Sequence, residues 1–206
     1  MALYHVVEGN RLFTTELSLR SVSFRWVVRE PGAEPRTVPL PRRATLSEVA
    51  GDLVAYGTAS RVVVKNWRTG AEVARYAVPD VVWLDVRADG ALVTADRDGN
   101  VVERLPGAAP RVLSRRGAGP AFAGQRVVFI RRIRPGVVQL QVADPDGRVR
   151  ALGVPSADLK EFTTDAQRVL WRAALLPSTS ARSRSTPTAA AASSPSTTSS
   201  TRAERG

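Results

Sequence analysis

Apolar residues occur along the first 176 residues in short β-branched runs separated by turn-forming residues. Examples are SVSFRWVV, RVVVKNW, NVVERL and GVVQLQVA. No segment has the sustained 3.6-residue spacing of apolar positions that an amphipathic helix needs. The pattern therefore predicts an all-β chain of short antiparallel strands.

Two glycine-rich marks recur along the same part of the chain. A turn followed by strand-forming residues occurs in GNRLFTT, GDLVAYG, GALVTAD, GQRVVFI and AQRVLWR, which begin at Gly9, Gly51, Gly90, Gly124 and Ala166. A second mark occurs at Gly32, Gly70, Gly107 and Gly147. Both marks have a period of about forty residues, which is typical of a repeated four-stranded meander.

A small sheet cannot bury both of its faces alone, so repeated meanders are expected to stack as the blades of a β-propeller. The prediction is an all-β, β-propeller-like array of about four four-stranded antiparallel blades plus a partial fifth. The blades are expected at residues 3–43, 44–79, 80–114, 115–155 and, for the partial one, 156–176. The fifth blade has only two predicted strands, at LKEF and QRVLWRA. We therefore expect that the blades do not close into a complete propeller ring.

Residues 177–206 have a different composition from the repeats. They contain no Val, Ile, Leu, Met, Phe, Trp or Tyr and are rich in Ser, Thr, Ala, Pro and Arg. Such a segment cannot bury enough apolar surface to offset the entropy of ordering it. We expect a disordered tail that follows a partial propeller domain at residues 1–176.

The segment VVVKNWRTGAEVARY, with Trp67, Arg68, Thr69 and Gly70, resembles strand c, the turn and strand d of WD-repeat-like bacterial β-propellers. The Trp-Asp and Gly-His pairs of the eukaryotic repeat are missing, so the resemblance is to a degenerate bacterial form, expected to be incomplete. It implies a non-catalytic scaffold or protein-interaction module. The alternative is a truncated fragment of a larger propeller-bearing enzyme or surface protein.

The stretch ADRDGNVVE places Asp96, Asp98 and Asn100 on alternate positions and so raises the question of a calcium loop. An EF-hand loop needs its glycine two positions later than Gly99 and a bidentate glutamate farther on than Glu103. Asp-Gly between two strand-forming runs is typical of a type I′ hairpin turn. We therefore predict a turn here, and likewise at Asp89-Gly90 and Asp146-Gly147.

Candidate chemistry is sparse. The chain has no cysteine and a single histidine, His5, so thiolate-based metal sites are excluded and a Ser-His-Asp triad would have to use that one residue. Asp80 and Asp85 lie five positions apart, which would place them on opposite faces of a continuous strand. This spacing argues against their acting together as a general acid and a general base. We predict no catalytic residue, no metal and no cofactor in this chain, and core packing for the tryptophans Trp26, Trp67, Trp83 and Trp171.

The formal net charge is +11, and all but two of the 30 basic residues are arginines. In antiparallel meanders joined d to a, the b–c turns and d–a links lie on one face of the array. That face collects an excess of arginines, and its densest part is SRRGAG opposite RRIRPG. Arg115, Arg116, Arg131, Arg132 and Arg134 are therefore the candidate binding residues, for an acidic or phosphate-bearing partner.

The expected partners follow from these features. A protein partner is expected, polyanion binding through the basic face is an alternative function, and open sheet edges favour self-association. The first twenty residues have no leader pattern, and no apolar segment approaches the ~18 residues that a membrane span needs. The chain as written is thus predicted to be cytoplasmic, or extracytoplasmic if its true N-terminus is missing.

Overall fold

A computed structural model of the protein describes residues 2–8, 10–18, 23–38, 40–41, 44–164 and 169–175. Every regular element in these ranges is a β-strand, which confirms the predicted all-β class. The predicted tail at residues 177–206 lies outside the described residues. Among the described residues, no helix has the length and apolar composition that crossing a membrane requires.

The first two sheets are four-stranded antiparallel meanders in which sequence neighbours pair. Blade one contains β1 (Ala2–Glu8), β2 (Arg11–Ser18), β3 (Ser23–Arg29) and β4 (Arg36–Val38). Blade two contains β5 (Leu46–Ala50), β6 (Leu53–Thr58), β7 (Arg61–Asn66) and β8 (Glu72–Ala77). The segment that resembles strand c, turn and strand d forms β7, a turn and β8, paired in antiparallel register.

The third and fourth sheets continue the same topology. Blade three contains β9 (Val81–Val86), β10 (Leu92–Asp96), β11 (Val101–Arg104) and β12 (Arg111–Ser114). Blade four contains β13 (Gly117–Ala123), β14 (Arg126–Arg134), β15 (Val137–Ala143) and β16 (Val149–Thr164), to which β17 (Val169–Leu175) adds a fifth strand.

The two strands that were expected to begin a fifth blade belong to the same sheet as blade four. They pair with each other as a hairpin, but β16 runs without a turn from its pairing with β15 into its pairing with β17. The pairing with β15 ends at Ser156, where the pairing with β17 begins, and the registers of both pairings are irregular near this residue. Phe162 and Val169 of the hairpin pack against the apolar cluster of blade four.

The core is divided into clusters that lie between consecutive blades. Blades one and two share Phe13, Trp26, Val28, Val38, Val49, Val54 and Trp67. Blades two and three share Ala55, Val62, Val64, Leu84, Val86 and Leu92, and blades three and four share Val93, Ala95, Val101, Phe122, Val127 and Phe129. Because each fully buried large apolar side chain contributes about 1.5–3 kcal/mol, the interfaces between blades are the main source of stability.

Burial along a blade explains the sequence pattern of its strands. In blade two, β6 is buried from Leu53 to Gly57 and β7 is buried at Val62–Val64, whereas β8 is mostly exposed. A strand covered on both faces reads as a continuous apolar run, and an edge strand alternates. The β-branched runs that revealed the repeat are therefore the central strands of each sheet.

The three Asp-Gly sites form hairpin turns, as predicted, but of a different class. In the turn at residues 96–99, the Gly99 amide donates to the Asp96 carbonyl at 3.1 Å and Gly99 has φ of +88°, whereas Asp98 is not among the residues with positive φ. A type I′ turn would need positive φ at both central positions. The geometry is a type I turn closed by a glycine bulge, which needs only one left-handed residue.

The carboxylate of Asp96 is occupied within this turn. Its two oxygens accept hydrogen bonds from the amide and the side-chain nitrogen of Asn100, each at 2.8 Å. We therefore expect millimolar calcium to leave the melting temperature unchanged, because a ligand that binds only the folded state must stabilise it. A calcium titration followed by thermal denaturation tests this, and a rise of several degrees would contradict the turn interpretation.

The face of blade one that points away from blade two carries both charged and apolar side chains, among them Val7, which is 68% exposed. Glu16 accepts hydrogen bonds from Arg25 at 2.8 Å and from Arg29 at 3.2 Å, and Arg29 also donates to the Thr14 hydroxyl. Within the described part of the chain, no apolar cluster joins blade one to blade four. Self-association through open sheet edges stays a prediction. This face would contribute charged side chains to such a contact.

Candidate functional site

The five predicted binding arginines lie at one end of blade four. Arg115 and Arg116 form the short link between β12 and β13, and Arg131, Arg132 and Arg134 belong to the last part of β14. Arg131 is the register partner of Gly117, so the strand extends past the start of its neighbour β13. All five side chains are exposed.

Backbone contacts hold the link beside blade three. The Arg132 amide donates to the Arg116 carbonyl at 2.8 Å, and the Gly117 amide donates to the Gly99 carbonyl at 2.8 Å. A methyl group on Gly117 would overlap the side chain of Val101, which is fully buried. The absence of a side chain at Gly117 therefore lets the link pass close to the turn at residues 96–99.

Two adjoining cavities lie between these segments and share Arg116. The larger, about 430 Å³, is called the basic groove here: its polar residues are Asp96, Arg97, Asp98, Arg116, Arg132 and Arg134, and its apolar ones include Val82, Ala118, Ile130, Ile133 and Val138. The smaller, about 350 Å³, is lined by Leu113, Ser114, Arg115, Arg116, Phe129, Arg131 and Val149. Together they bring all five predicted arginines to one region.

The arginines of this face have no salt-bridge partner among the described residues. The statement holds for Arg61, Arg97, Arg115, Arg116, Arg131, Arg132 and Arg134. Arg20, Arg42 and Arg43, which the topology assigns to the same face, lie outside the described residues. The guanidinium groups around the basic groove are thus available to an external anion.

Most described arginines of the opposite face, by contrast, are paired with carboxylates, and Arg36 is an exception. Arg11 and Arg68 both contact Glu30 and Asp52, at 2.5–2.9 Å, in a four-membered network that joins blades one and two. These contacts hold the pKa of Glu30 and of Asp52 below the usual range for carboxyl groups, chiefly through the hydrogen bond from Arg68. Further pairs there are Arg87 with Asp89, Arg148 with Asp146, and Arg126 and Arg150 with Asp144.

The tryptophans do not all pack in the core. Trp26 and Trp67 are buried between blades one and two, as expected, but Trp83 is 54% exposed, so its predicted core role is wrong. Regular alternation in β9 places Trp83 on the face opposite Leu84 and Val86, and a bulge follows, in which Ala95 pairs with Trp83 and Asp96 pairs with Val81, so that Val82 is an extra residue. The side chains of Trp171 and His5 lie outside those that the structure describes.

The two aspartates that flank VVWL lie in different environments. Asp80 is exposed, with φ of +52°, in the link before β9. Asp85 is largely buried and accepts hydrogen bonds from the amides of Phe122, at 2.7 Å, and Val86, at 2.8 Å. Because Phe122 belongs to blade four, the Asp85 carboxylate links two blades.

Two carboxyl groups on the first strands of neighbouring blades have raised pKa values. Burial raises the pKa of Glu48 to about 8, and the charge of Asp85 adds to this shift. Burial also raises the pKa of Asp85, to about 6, against the two amide hydrogen bonds, which lower it. Neither environment could be predicted from the sequence, because the strand pattern does not show which side chain of β5 faces the next blade.

The apolar floor of the basic groove and the exposed Trp83 were not identified from the sequence. Val82, Ile130 and Val138 belong to β-branched runs that predict only strands. The bulge in β9 has no glycine or proline to mark it, so its effect on side-chain direction could not be predicted.

Comparisons with known proteins bear on the fold. No protein-family model matches the sequence, and no curated protein does. An acylaminoacyl peptidase from Pyrococcus horikoshii is similar with a TM-score of 0.54 and 12% identity, over 84% of this chain and 35% of that one. The β-propeller domain of Cps50 (Swd1) from Myceliophteria thermophila is similar with a TM-score of 0.50 and 14% identity, over 82% of this chain and 65% of that one.

The chain therefore spans less than two thirds of each of these two structures. At such identities the similarity concerns the backbone architecture alone. Four consecutive antiparallel meanders, with an apolar cluster between each pair of neighbours, are the arrangement of propeller blades. The fold of this chain is that of a β-propeller array.

Proposed function

We propose that this chain is a non-catalytic propeller module that binds an acidic partner through the basic face at the junction of blades three and four. The observation that carries the proposal is the contrast between the two faces. Most arginines of the opposite face are neutralised by neighbouring carboxylates, whereas Arg115, Arg116, Arg131, Arg132 and Arg134 are exposed and unpaired among the described residues.

Electrostatics and shape both support this region as the docking surface. A cluster of like charges without internal partners raises the local concentration of anions and speeds their association. Guanidinium groups also bind carboxylates with two parallel hydrogen bonds, which favours recognition of acidic side chains. The basic groove supplies a concave site of about 430 Å³ among these groups.

Replacing Arg131, Arg132 and Arg134 with serine is expected to weaken binding of poly-L-glutamate about tenfold. Each exposed charge contact is worth up to about 1 kcal/mol, and 1.4 kcal/mol corresponds to a factor of ten. The variant should also show a smaller salt dependence, because fewer bound counterions are released. Fluorescence anisotropy with labelled poly-L-glutamate at several salt concentrations measures both quantities.

The matched control replaces Arg36, Arg126 and Arg148 with serine. These side chains are exposed on the opposite face, and the change in net charge is the same. The control is expected to bind almost as well as the unmodified protein. Equal weakening of both variants would show that net charge alone drives binding, and the proposed docking surface would then be wrong.

A further inference from the structure

The floor of the basic groove is apolar although its rim is charged. Val82, Ala118, Ile130 and Val138 line it, from strands of blades three and four. Ile133, the extra residue where the register of β14 shifts, is 39% exposed beside Arg132 and Arg134. A surface that attracts anions by charge alone needs no concave aliphatic floor.

Trp83 extends this apolar surface. The bulge in β9 places two consecutive residues opposite one, so Val82 and Trp83 share a side of the sheet, whereas Val81 and Leu84 pack with the core between blades two and three. Val82 lines the groove, and its neighbour Trp83 is 54% exposed. An exposed tryptophan is therefore positioned beside the groove floor.

The charges of the groove are not uniform. Arg116, Arg132 and Arg134 come from the link and β14, whereas Asp98 comes from the turn of blade three, is exposed, and has no salt bridge among the described residues. A strand of nucleic acid presents a phosphate at every step, and some of its phosphates would be repelled by Asp98. A polypeptide can place acidic side chains opposite the arginines and an uncharged residue elsewhere.

We infer that the partner is a polypeptide segment that inserts one apolar side chain into the basic groove and places acidic residues on either side of it. The apolar side chain contacts Val82, Ile130 and Val138, with Trp83 covering its outer end, and the flanking carboxylates pair with Arg132 and Arg134. This inference rests on the proposed function, since it uses the same arginines. It adds the class of partner and the residue that provides the anchor.

Two labelled peptides and one oligonucleotide test the inference. The peptides are Gly-Ser-Glu-Glu-Leu-Glu-Glu-Ser-Gly and the same sequence with serine in place of leucine, and the oligonucleotide is a short oligothymidylate. The leucine peptide is expected to bind about tenfold more tightly than the serine peptide, because it removes an additional aliphatic side chain from water. Both should lose affinity in the triple Arg131, Arg132 and Arg134 to serine variant.

A groove-filling variant separates the apolar contact from the charge contact. Ala118 is exposed within the groove, so Ala118→Leu should occupy the floor without touching the arginines. We expect this variant to remove the advantage of the leucine peptide over the serine peptide, while Trp83→Ala reduces that advantage. Circular dichroism of each variant confirms that its β content is retained.

The outcomes distinguish this inference from the proposed function. Equal affinities for the two peptides, with a dependence on the arginines, would overturn the apolar anchor and leave the acidic docking surface standing. Tighter arginine-dependent binding of the oligothymidylate than of either peptide would identify a nucleic acid as the partner and overturn the inference. If no probe shows arginine-dependent binding, both proposals fail.

Discussion

Replacing Arg111 with methionine is expected to destabilise the protein by about 3–5 kcal/mol, because it leaves the carboxylate of Glu103 buried without a counter-charge. The Glu103 side chain is 2% exposed, and its Oε2 atom accepts hydrogen bonds from Nε and Nη2 of Arg111. For a domain of this size, such a loss corresponds to a fall in melting temperature of roughly 10 °C. Urea denaturation and calorimetry measure the change.

The double variant Glu103→Met with Arg111→Met is the control. Removing both charges replaces a buried ion pair by apolar side chains, which is often close to neutral. Arg111 also donates from Nη1 to the Pro145 carbonyl at 2.9 Å, and this contact between blades three and four is lost in both variants. If the double variant is as unstable as the single one, the lost contact to Pro145 and not the unpaired charge causes the effect.

The repeat made the blades predictable from the sequence. The central strands of each blade are covered on both faces, so their positions require apolar β-branched residues and leave a clear period. The turns between first and second strands, and between third and fourth, need residues with positive φ, as at Gly51 and Gly70. These apolar strands and glycine turns recur in each blade, so the repeat can be recognised in the sequence without the structure.

The face on which each loop lies was predictable as well, because it follows from the parity of an antiparallel meander. The gathering of Arg116 and Arg132 in one groove follows from that topology, and the 2.8 Å bond between their backbones shows how close they lie. The predicted type I′ turns were wrong because the sequence Asp-Gly also suits a type I turn with a glycine bulge. The two turn classes differ in the φ of Asp98, which composition does not determine.

Features that depend on irregular strands were not predictable. A bulge in β9 places Val82 on the same side as Trp83, and β16 changes from its pairing with β15 to its pairing with β17 where both registers are irregular. Ile133 is the extra residue of a third irregularity, in β14. Bulges reverse the alternation on which strand interpretation rests, and the bulge in β9 has no glycine or proline to mark it. The apolar part of the candidate site could therefore be identified only from the structure.

Between pH 6.5 and 8.5, the free energy of unfolding is expected to fall by about 1–2 kcal/mol, and Glu48→Gln should abolish most of this fall. The pKa of Glu48 is raised to about 8 in the folded protein, from about 4.5 unfolded, by burial and by Asp85. The folded state thus holds a proton that the unfolded state has released, so stability declines as pH rises towards the folded pKa and is constant well above it. One unit of pKa shift corresponds to 1.36 kcal/mol.

Glu48 can be separated from the other groups by the choice of pH range. The pKa of Asp85 is raised only to about 6, so this carboxyl completes most of its titration below the range used. Any contribution from His5 is present in both proteins and cancels in the comparison. Glu34→Gln, an exposed turn residue, is the control and should keep the slope of the unmodified protein. Parallel profiles for the unmodified protein and Glu48→Gln, from urea denaturation across the range, would show that Glu48 is solvated and ionised in the folded state.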